Sequence, residues 1–187
     1  MQDMRRTFIA FELLFCFLTL EALAQDKVVM TVSQDGKGDF TSIQAAIDAT
    51  KAFPDTRITI NIKNGIYYEK VVIPSCNTHL SLIGESSDKT VISFNDFFGK
   101  INRGRNSTFY TYTLLVEADD FYAENLTIEN SAGPVGQAVA LHVEGDRCSF
   151  RNCRILGNQD TLYAAGQQSR QHFSGCYIVI VCSLSCF

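Results

Sequence analysis

VEADDFYAENLTI, residues 116–128, can be set above VEGDRCSFRNCRI, residues 143–155, with no gap. Val, Glu, Asp, Asn and Ile then recur at a constant offset of 27. The next piece, SGCYI, follows RNCRI at an offset of 23, so Cys153 matches Cys176 and Ile155 matches Ile178. A period in the twenties built of short strands and turns is the mark of a stacked solenoid. No helix-sized segment lies between these strands, which disfavours leucine-rich and ankyrin-like repeats. A parallel β-helix fits: each coil contributes short strands, and side chains stack coil on coil at about 4.8 Å. The competing reading is a β-sandwich with chance internal similarity.

The same pattern extends outward. RITINIKN alternates apolar and polar residues, and VVIP, LSLIG, TVISF and TLLVEA are compact apolar runs divided by Gly, Asn, Asp and Ser, the composition of buried strands with short connections. One segment, DFTSIQAAIDATK, reads as a helix. Thr41 and Gln44 have capping-box spacing, Ile43, Ala46 and Ile47 mark one apolar face, and Pro54 stops it from running on.

The chain has 187 residues, enough for one domain with a real core. Apolar residues make up 46% and charged residues 19%, so the chain folds rather than staying disordered. A net charge of −4 argues against nucleic acid as a partner. At the N-terminus Arg5 and Arg6 precede the apolar run FIAFELLFCFLTL, and Ala22-Leu23-Ala24 fits a cleavage site. Residues 1–24 therefore read as a signal peptide of a secreted protein, the run being short for a bilayer span. Of seven cysteines, Cys16 falls in that segment. The spacings resemble no zinc pattern. At most one or two disulfides are expected, with pairing left open, and Cys148, Cys153 and Cys176 read as small core residues.

GNQDTLYAAG, residues 157–166, sets a carboxamide beside a carboxylate, Gln159 and Asp160. Asp in such a string is commonly a turn residue bonded to its own backbone. The pair also suits ester hydrolysis, where the amide stabilises an oxyanion and the acid passes a proton to the leaving alkoxide. DGKGDF lacks the lysine-serine or lysine-threonine pair of a phosphate loop. His79, His142 and His172 form no triad with a serine, and His142, in an alternating strand, reads as structural.

SQDGKGDFTSIQAAID, NGIYYEKVVIP, LTIENSAGP, GQAVAL and GNQDTLY occur in this order on the repeat pattern. Together they resemble the pectin methylesterase (pectinesterase) family over roughly Val28 to Ile178. The resemblance implies an all-β, right-handed parallel β-helix, a single-stranded solenoid with a short N-terminal helix. It implies methyl-esterified homogalacturonan as substrate, pectate and methanol as products, and no metal or organic cofactor. Gln137 of GQAVAL becomes an oxyanion-site amide that also touches substrate, Gln159 a second such amide, and Asp160 the general acid and later general base. TFYTYT resembles the family's TFxSAT segment, which makes Thr108 a substrate contact. Phe109, Tyr110 and Tyr163 are candidates for a sugar groove or for core and rim. Asn106-Ser107-Thr108 is a glycosylation sequon beside that groove, and Asn125-Leu126-Thr127 is a second, placed in a strand. The implied partners are pectin and a proteinaceous inhibitor, with a monomeric, extracellular protein and no membrane contact in the mature form.

One part of the family pattern is missing. Its mechanism uses two carboxylates, one attacking the ester carbon and the other acting as acid and then base. The nucleophile opens a DFIFG motif shortly after a CYI-like strand. Here CYI stands at 176–178, the chain continues VIVCSLSCF, and alignment on Cys176 puts Ser183 at the nucleophile position. No Asp or Glu follows Asp160, and the chain has no Trp. The resemblance stops within one residue of Ile178, the pattern of a frameshift, retained intron or truncated gene model. The expected organisation is a signal peptide at 1–24, a partial β-helix incomplete at its C-terminal end at 25–178, and a divergent tail at 179–187. The chain as written is expected to be inactive. Alternatives are a non-catalytic pectin-binding or decoy β-helix and a β-helix lyase or glycosidase, whose acid sets the sequence lacks.

Overall fold

The computed structural model describes residues 28–179. The expected signal segment, the tail residues 180–187 with Ser183, and Cys16, Cys182 and Cys186 lie outside them. The first coil is β1 (Val29–Val32) followed by α1 (Ile43–Asp48). The second is β2 (Ile58–Ile62), β3 (Gly65–Tyr68) and β4 (Val71–Ile73). The third is β5 (Leu80–Gly84), β6 (Thr90–Phe94) and β7 (Leu114–Val116), with α2 (Phe98–Ile101) and a 3-10 helix (Gly104–Tyr110) between the last two. The fourth is β8 (Tyr122–Glu124), β9 (Thr127–Asn130) and β10 (Leu141–Val143), and the fifth β11 (Cys148–Arg151), β12 (Arg154–Leu156) and β13 (Leu162–Ala164). β14 (Gln171–Ser174) and β15 (Tyr177–Val179) begin a sixth.

Every pairing is parallel and joins one coil to the next, giving three sheets. The first runs β1-β2-β5-β8-β11-β14, the second β3-β6-β9-β12-β15 and the third β4-β7-β10-β13. The expected parallel β-helix is therefore present, in the expected register. Ile155 pairs with Ile128, an offset of 27, and with Ile178, an offset of 23.

Stacking turns the repeat into a core. In the second sheet Tyr67, Ile92, Ile128 and Ile155 form one fully buried inward ladder. In the first, Ile60, Leu82, Ala123 and Phe150 do the same, and Phe150 lies flat on Phe173 at 4.9 Å between ring centroids. Each buried large aliphatic side chain contributes about 1.5–3 kcal/mol. Cys148 and Cys153 are buried free thiols in this core. Burial pushes the Cys148 thiol up to about 11 and the Cys153 thiol up to about 12, so both stay protonated as small apolar fillers.

The corners are as regular as the strands. Between the first and second sheets stand Asn125, Asn152 and Gly175, all with positive φ. Asn and Gly tolerate the left-handed region that others avoid. Asn152 Nδ2 donates to Asn125 Oδ1 at 2.6 Å, tying two coils together. The second sequon thus begins in a bend, not in a strand, because this corner needs a left-handed residue; its Thr127 is buried in β9.

Two local details differ from the capping-box reading. The N-cap is Ser42, whose Oγ accepts from the Ala45 amide at 3.1 Å. The carboxylate of Glu69 takes the amides of Ile43 and Gln44 at 2.8 and 3.0 Å, so no N3 carboxamide is needed for them. Gln44 instead turns to β4, accepting from Val72 N–H at 2.8 Å and donating to its carbonyl at 3.2 Å. A side-chain amide here mimics one more strand on the first edge of the third sheet. Ile43, Ala46 and Ile47 are buried as the pattern predicts.

Candidate active site

The corner between the second and third sheets behaves differently. In three successive coils its connection is long or irregular: Asn95–Thr113, Ser131–Ala140 and Gly157–Thr161. These connections carry Thr108, Gln137 and the pair Gln159–Asp160 respectively. Stacking places on one face residues that lie up to half a hundred positions apart in the chain.

A buried asparagine fixes this corner. Asn130 Nδ2 lies 2.9, 3.0 and 3.0 Å from the carbonyls of Asp96, Thr111 and Val139, and its Oδ1 accepts from Ala132 N–H at 3.0 Å. Thr111 Oγ1 accepts from Val139 N–H at 2.9 Å and donates to the Thr108 carbonyl at 2.8 Å. Thr113 Oγ1 donates to the Glu129 carbonyl at 2.8 Å. The insertion bearing Thr108 is thereby pinned to the connection bearing Gln137.

Thr108 Oγ1 donates to Gln137 Oε1 at 2.7 Å. An amide that accepts at its oxygen leaves its Nε2 hydrogens as free donors. Gln137 pairs with Gln159 in a parallel bridge, and Ala138 N–H donates to the Gln159 carbonyl at 3.0 Å. Asp160 follows in the left-handed region at φ 59 and is exposed. Thr161 then turns back into the interior, its carbonyl accepting from the amides of Ala140 and Leu141 at 2.9 and 3.1 Å.

Thr108, Gln137 and Asp160 line one open cleft of about 360 Å³ together with Arg105, Phe109, Leu162 and Tyr163. Among the described residues Asp160 is the one acid in that lining. Phe109 and Tyr163 hold their rings 5.3 Å apart, an apolar wall of the kind that suits a sugar face. Tyr110, grouped with them in the sequence, faces a neighbouring hollow instead, because consecutive residues of a 3-10 helix point about 120° apart. Arg105 and Leu162 were not singled out by sequence. Arg105 sits in GRNSTFY beside the exposed Asn106, and Leu162 follows Asp160 at the start of β13. Position is the signal that could have found them: Leu162 lies within GNQDTLY, and Arg105 stands three residues before TFYTYT.

His142 is structural, as its alternating strand suggested. It stacks in register between Leu115 and Tyr163 on the outer face of the third sheet, buried, with its ring edge-on to Tyr163 at 4.8 Å. Its Nε2 lies 3.0 Å from Glu144 Oε1, at an angle that makes no hydrogen bond. Burial holds its pKa below the ordinary imidazole value against the pull of that carboxylate. Among the described residues no cluster of His, Cys, Asp and Glu could hold a metal ion.

The comparisons agree with this architecture. The family model described as Pectinesterase matches residues 29–182. Pectinesterase 31 of Arabidopsis thaliana is 41% identical over 157 residues, covering 80% of this chain and 49% of that protein. The pectin methylesterase from carrot superposes with a TM-score of 0.73 at 32% identity, covering 86% of this chain and 48% of the other. A pectin methylesterase solved in complex with a hexasaccharide gives 0.71 at 35% identity, covering 80% and 48%. This chain spans about half the length of each of these three relatives. The solenoid is the right-handed parallel β-helix of those structures. With a superposable solenoid and a family model that runs across nearly every described residue, the chain belongs to the pectinesterase family.

Proposed function

We propose that the cleft at this corner receives a methyl-esterified galacturonate unit of homogalacturonan, and that the reaction of the complete site is hydrolysis to pectate and methanol. The observation that supports the reading is the gathering of Thr108, Gln137 and Asp160 from three coils in one cleft, with Gln137 oriented by Thr108 and bridged through its backbone to Gln159. Ester hydrolysis develops negative charge on the carbonyl oxygen, and the amides of Gln137 and Gln159 are the donors for it. Asp160, in the role of general acid, passes a proton to the departing methoxide, which leaves as methanol. It then takes a proton from the water that attacks the acyl group and releases the free carboxylate.

The first attack needs a second carboxylate to form that acyl group. Among the described residues the cleft lining holds no acid besides Asp160, and the given sequence has no Asp or Glu after it. The 187-residue chain is therefore proposed to release little or no methanol, with Asp160 and the two amides forming half of a catalytic site. The single acid also favours a second reading, a pectin-binding or decoy module that holds polymer without turnover. The leader-like residues 1–24 make extracellular cell-wall polymer the setting for either, and a proteinaceous inhibitor a further candidate partner.

Methanol release from highly esterified pectin, measured for the wild-type chain and Asp160→Asn, tests the reading. Both are expected at background. Turnover in the wild type that Asp160→Asn abolishes would overturn the inactivity. Absence of any binding to esterified pectin would remove both readings.

A further inference from the structure

A second hollow opens at the same corner, on the N-terminal side of the cleft, and its chemistry is different. It encloses about 520 Å³ and is lined by Lys70, Asp96, Lys100, Arg103, Tyr110 and Tyr112, with Ile101 at its side. Lys70 Nζ and Lys100 Nζ lie 2.8 and 2.9 Å from the two oxygens of Asp96, a buried carboxylate. Burial would raise the pKa of Asp96, but the two ammonium groups outweigh it and hold the carboxyl ionised below its ordinary value. Arg103 stacks its guanidinium over the Tyr110 ring at 4.2 Å, and Lys70 lies 4.5 Å from the centre of the Tyr112 ring. Arg103 has no carboxylate partner among the described residues. Two lysines thus share one carboxylate and Arg103 adds a third cation beside them, in a chain whose overall charge is −4. The surplus is local, ordered by ring stacking and opposite in sign to the rest of the molecule.

Position adds to chemistry. Lys70 immediately precedes β4 and Tyr112 lies just before β7, so this hollow spans the second and third coils at the corner where the cleft spans the third to fifth. The 3-10 helix is the ridge between them: Arg105, Thr108 and Phe109 face the cleft, and Tyr110 faces the hollow, with Arg103 at the helix start. Coils repeat at about 4.8 Å, so the centres of the two lie about one and a half coils, roughly 7 Å, apart along the solenoid axis, within reach of a single polymer chain.

We propose that the hollow formed by Lys70, Lys100, Arg103 and the rings of Tyr110 and Tyr112 binds the free carboxylates of de-esterified galacturonate units. This rests on the reading of the cleft as a pectin site and adds to it: one polymer would place esterified units in the cleft and acidic units in the hollow. An exposed arginine and lysine meet a carboxylate through charge-assisted hydrogen bonds, while the tyrosine rings offer faces to the sugar. Affinity should then rise as ester content falls and should weaken with salt.

The test is titration of the full chain with oligogalacturonides of graded esterification at low and high salt, using wild type, Lys100→Ala/Arg103→Ala, Arg103→Lys and Thr108→Ala. The double variant should bind fully de-esterified oligomer about tenfold more weakly, while Arg103→Lys keeps most of the affinity and so excludes misfolding as the cause. Thr108→Ala should weaken only esterified oligomer. De-esterified oligomer that binds the double variant as well as wild type, or no better than esterified oligomer, or without salt dependence, overturns the hollow. Loss of esterified binding alone in wild type overturns the cleft reading and leaves the hollow standing.

Discussion

Two corners of the same solenoid use stacking for opposite ends. At the corner between the third and first sheets, Asp120 and Arg147 sit in left-handed turns 27 residues apart, and charge is matched coil by coil. Arg147 reaches Asp120 at 2.6 Å and Asp146 at 2.6 Å, and Arg170 reaches Asp146 at 2.7 Å. Bonds to Arg170 hold the Asp146 carboxyl far below the usual range, and Arg147 lowers that of Asp120. At the corner between the second and third sheets, buried Asn130 and Thr111 are saturated with backbone partners, while Gln137 and Asp160 point unspent groups into a cleft. A ladder whose polar groups are all paired ties coils together. A ladder that satisfies only its buried layer leaves its outer layer available for a ligand.

The contrast collapses if the shared core goes first. Phe150→Ala removes a fully buried ring packed between Phe121 and Phe173, and a loss of about 3–5 kcal/mol is expected in denaturant melts. Next in size is Asn130→Ala, which strands three carbonyls and frees the insertion from the Gln137 connection. It should cost roughly 1–3 kcal/mol and abolish binding of esterified oligomer, damaging the open corner while the ionic one stays intact.

The ionic corner is probed by acid. Asp120 and Asp146 have folded pKa values below the unfolded value of about 3.9. Their contribution is present above that pH and is lost as pH falls through the folded values. Thermal midpoints should therefore drop on acidification below about pH 4. Arg147→Ala should flatten that drop and lower the midpoint at neutral pH less than either buried substitution, with the neutral-pH loss shrinking in high salt. Smallest of all is Thr108→Val. It removes one half-buried hydrogen bond, costing about 0.5–1.5 kcal/mol, yet frees the Gln137 amide to rotate and should weaken esterified oligomer severalfold.

The fold was legible because the sequence offset is the strand register. Matching Asn125 with Asn152 and Ile128 with Ile155 on paper matches them in space. The offset fails between the third and fourth coils, where Ser81 pairs with Tyr122, 41 positions on. There the insertion of α2 and the 3-10 helix hides the repeat, and FFGKINRGRNSTFY carries no periodic apolar stripe that would announce a helix. β3 was also unannounced, since Gly65 and the exposed Ile66 and Tyr68 leave only Tyr67 inward. Of the cleft lining, family motifs marked Thr108, Gln137 and Asp160 as candidates, and Phe109 and Tyr163 were sugar-facing candidates. Arg105, Leu162 and the whole basic hollow were not, because their neighbours come from other coils and only the stacking brings them together.

The most direct test of the open corner is calorimetric titration of the full chain with methyl-esterified oligogalacturonide, comparing wild type with Gln137→Ala. Saturable binding that weakens at least about tenfold in the variant, with an unchanged thermal midpoint, is the predicted result. Equal binding by both proteins would contradict the assignment of this corner as the ester-binding site.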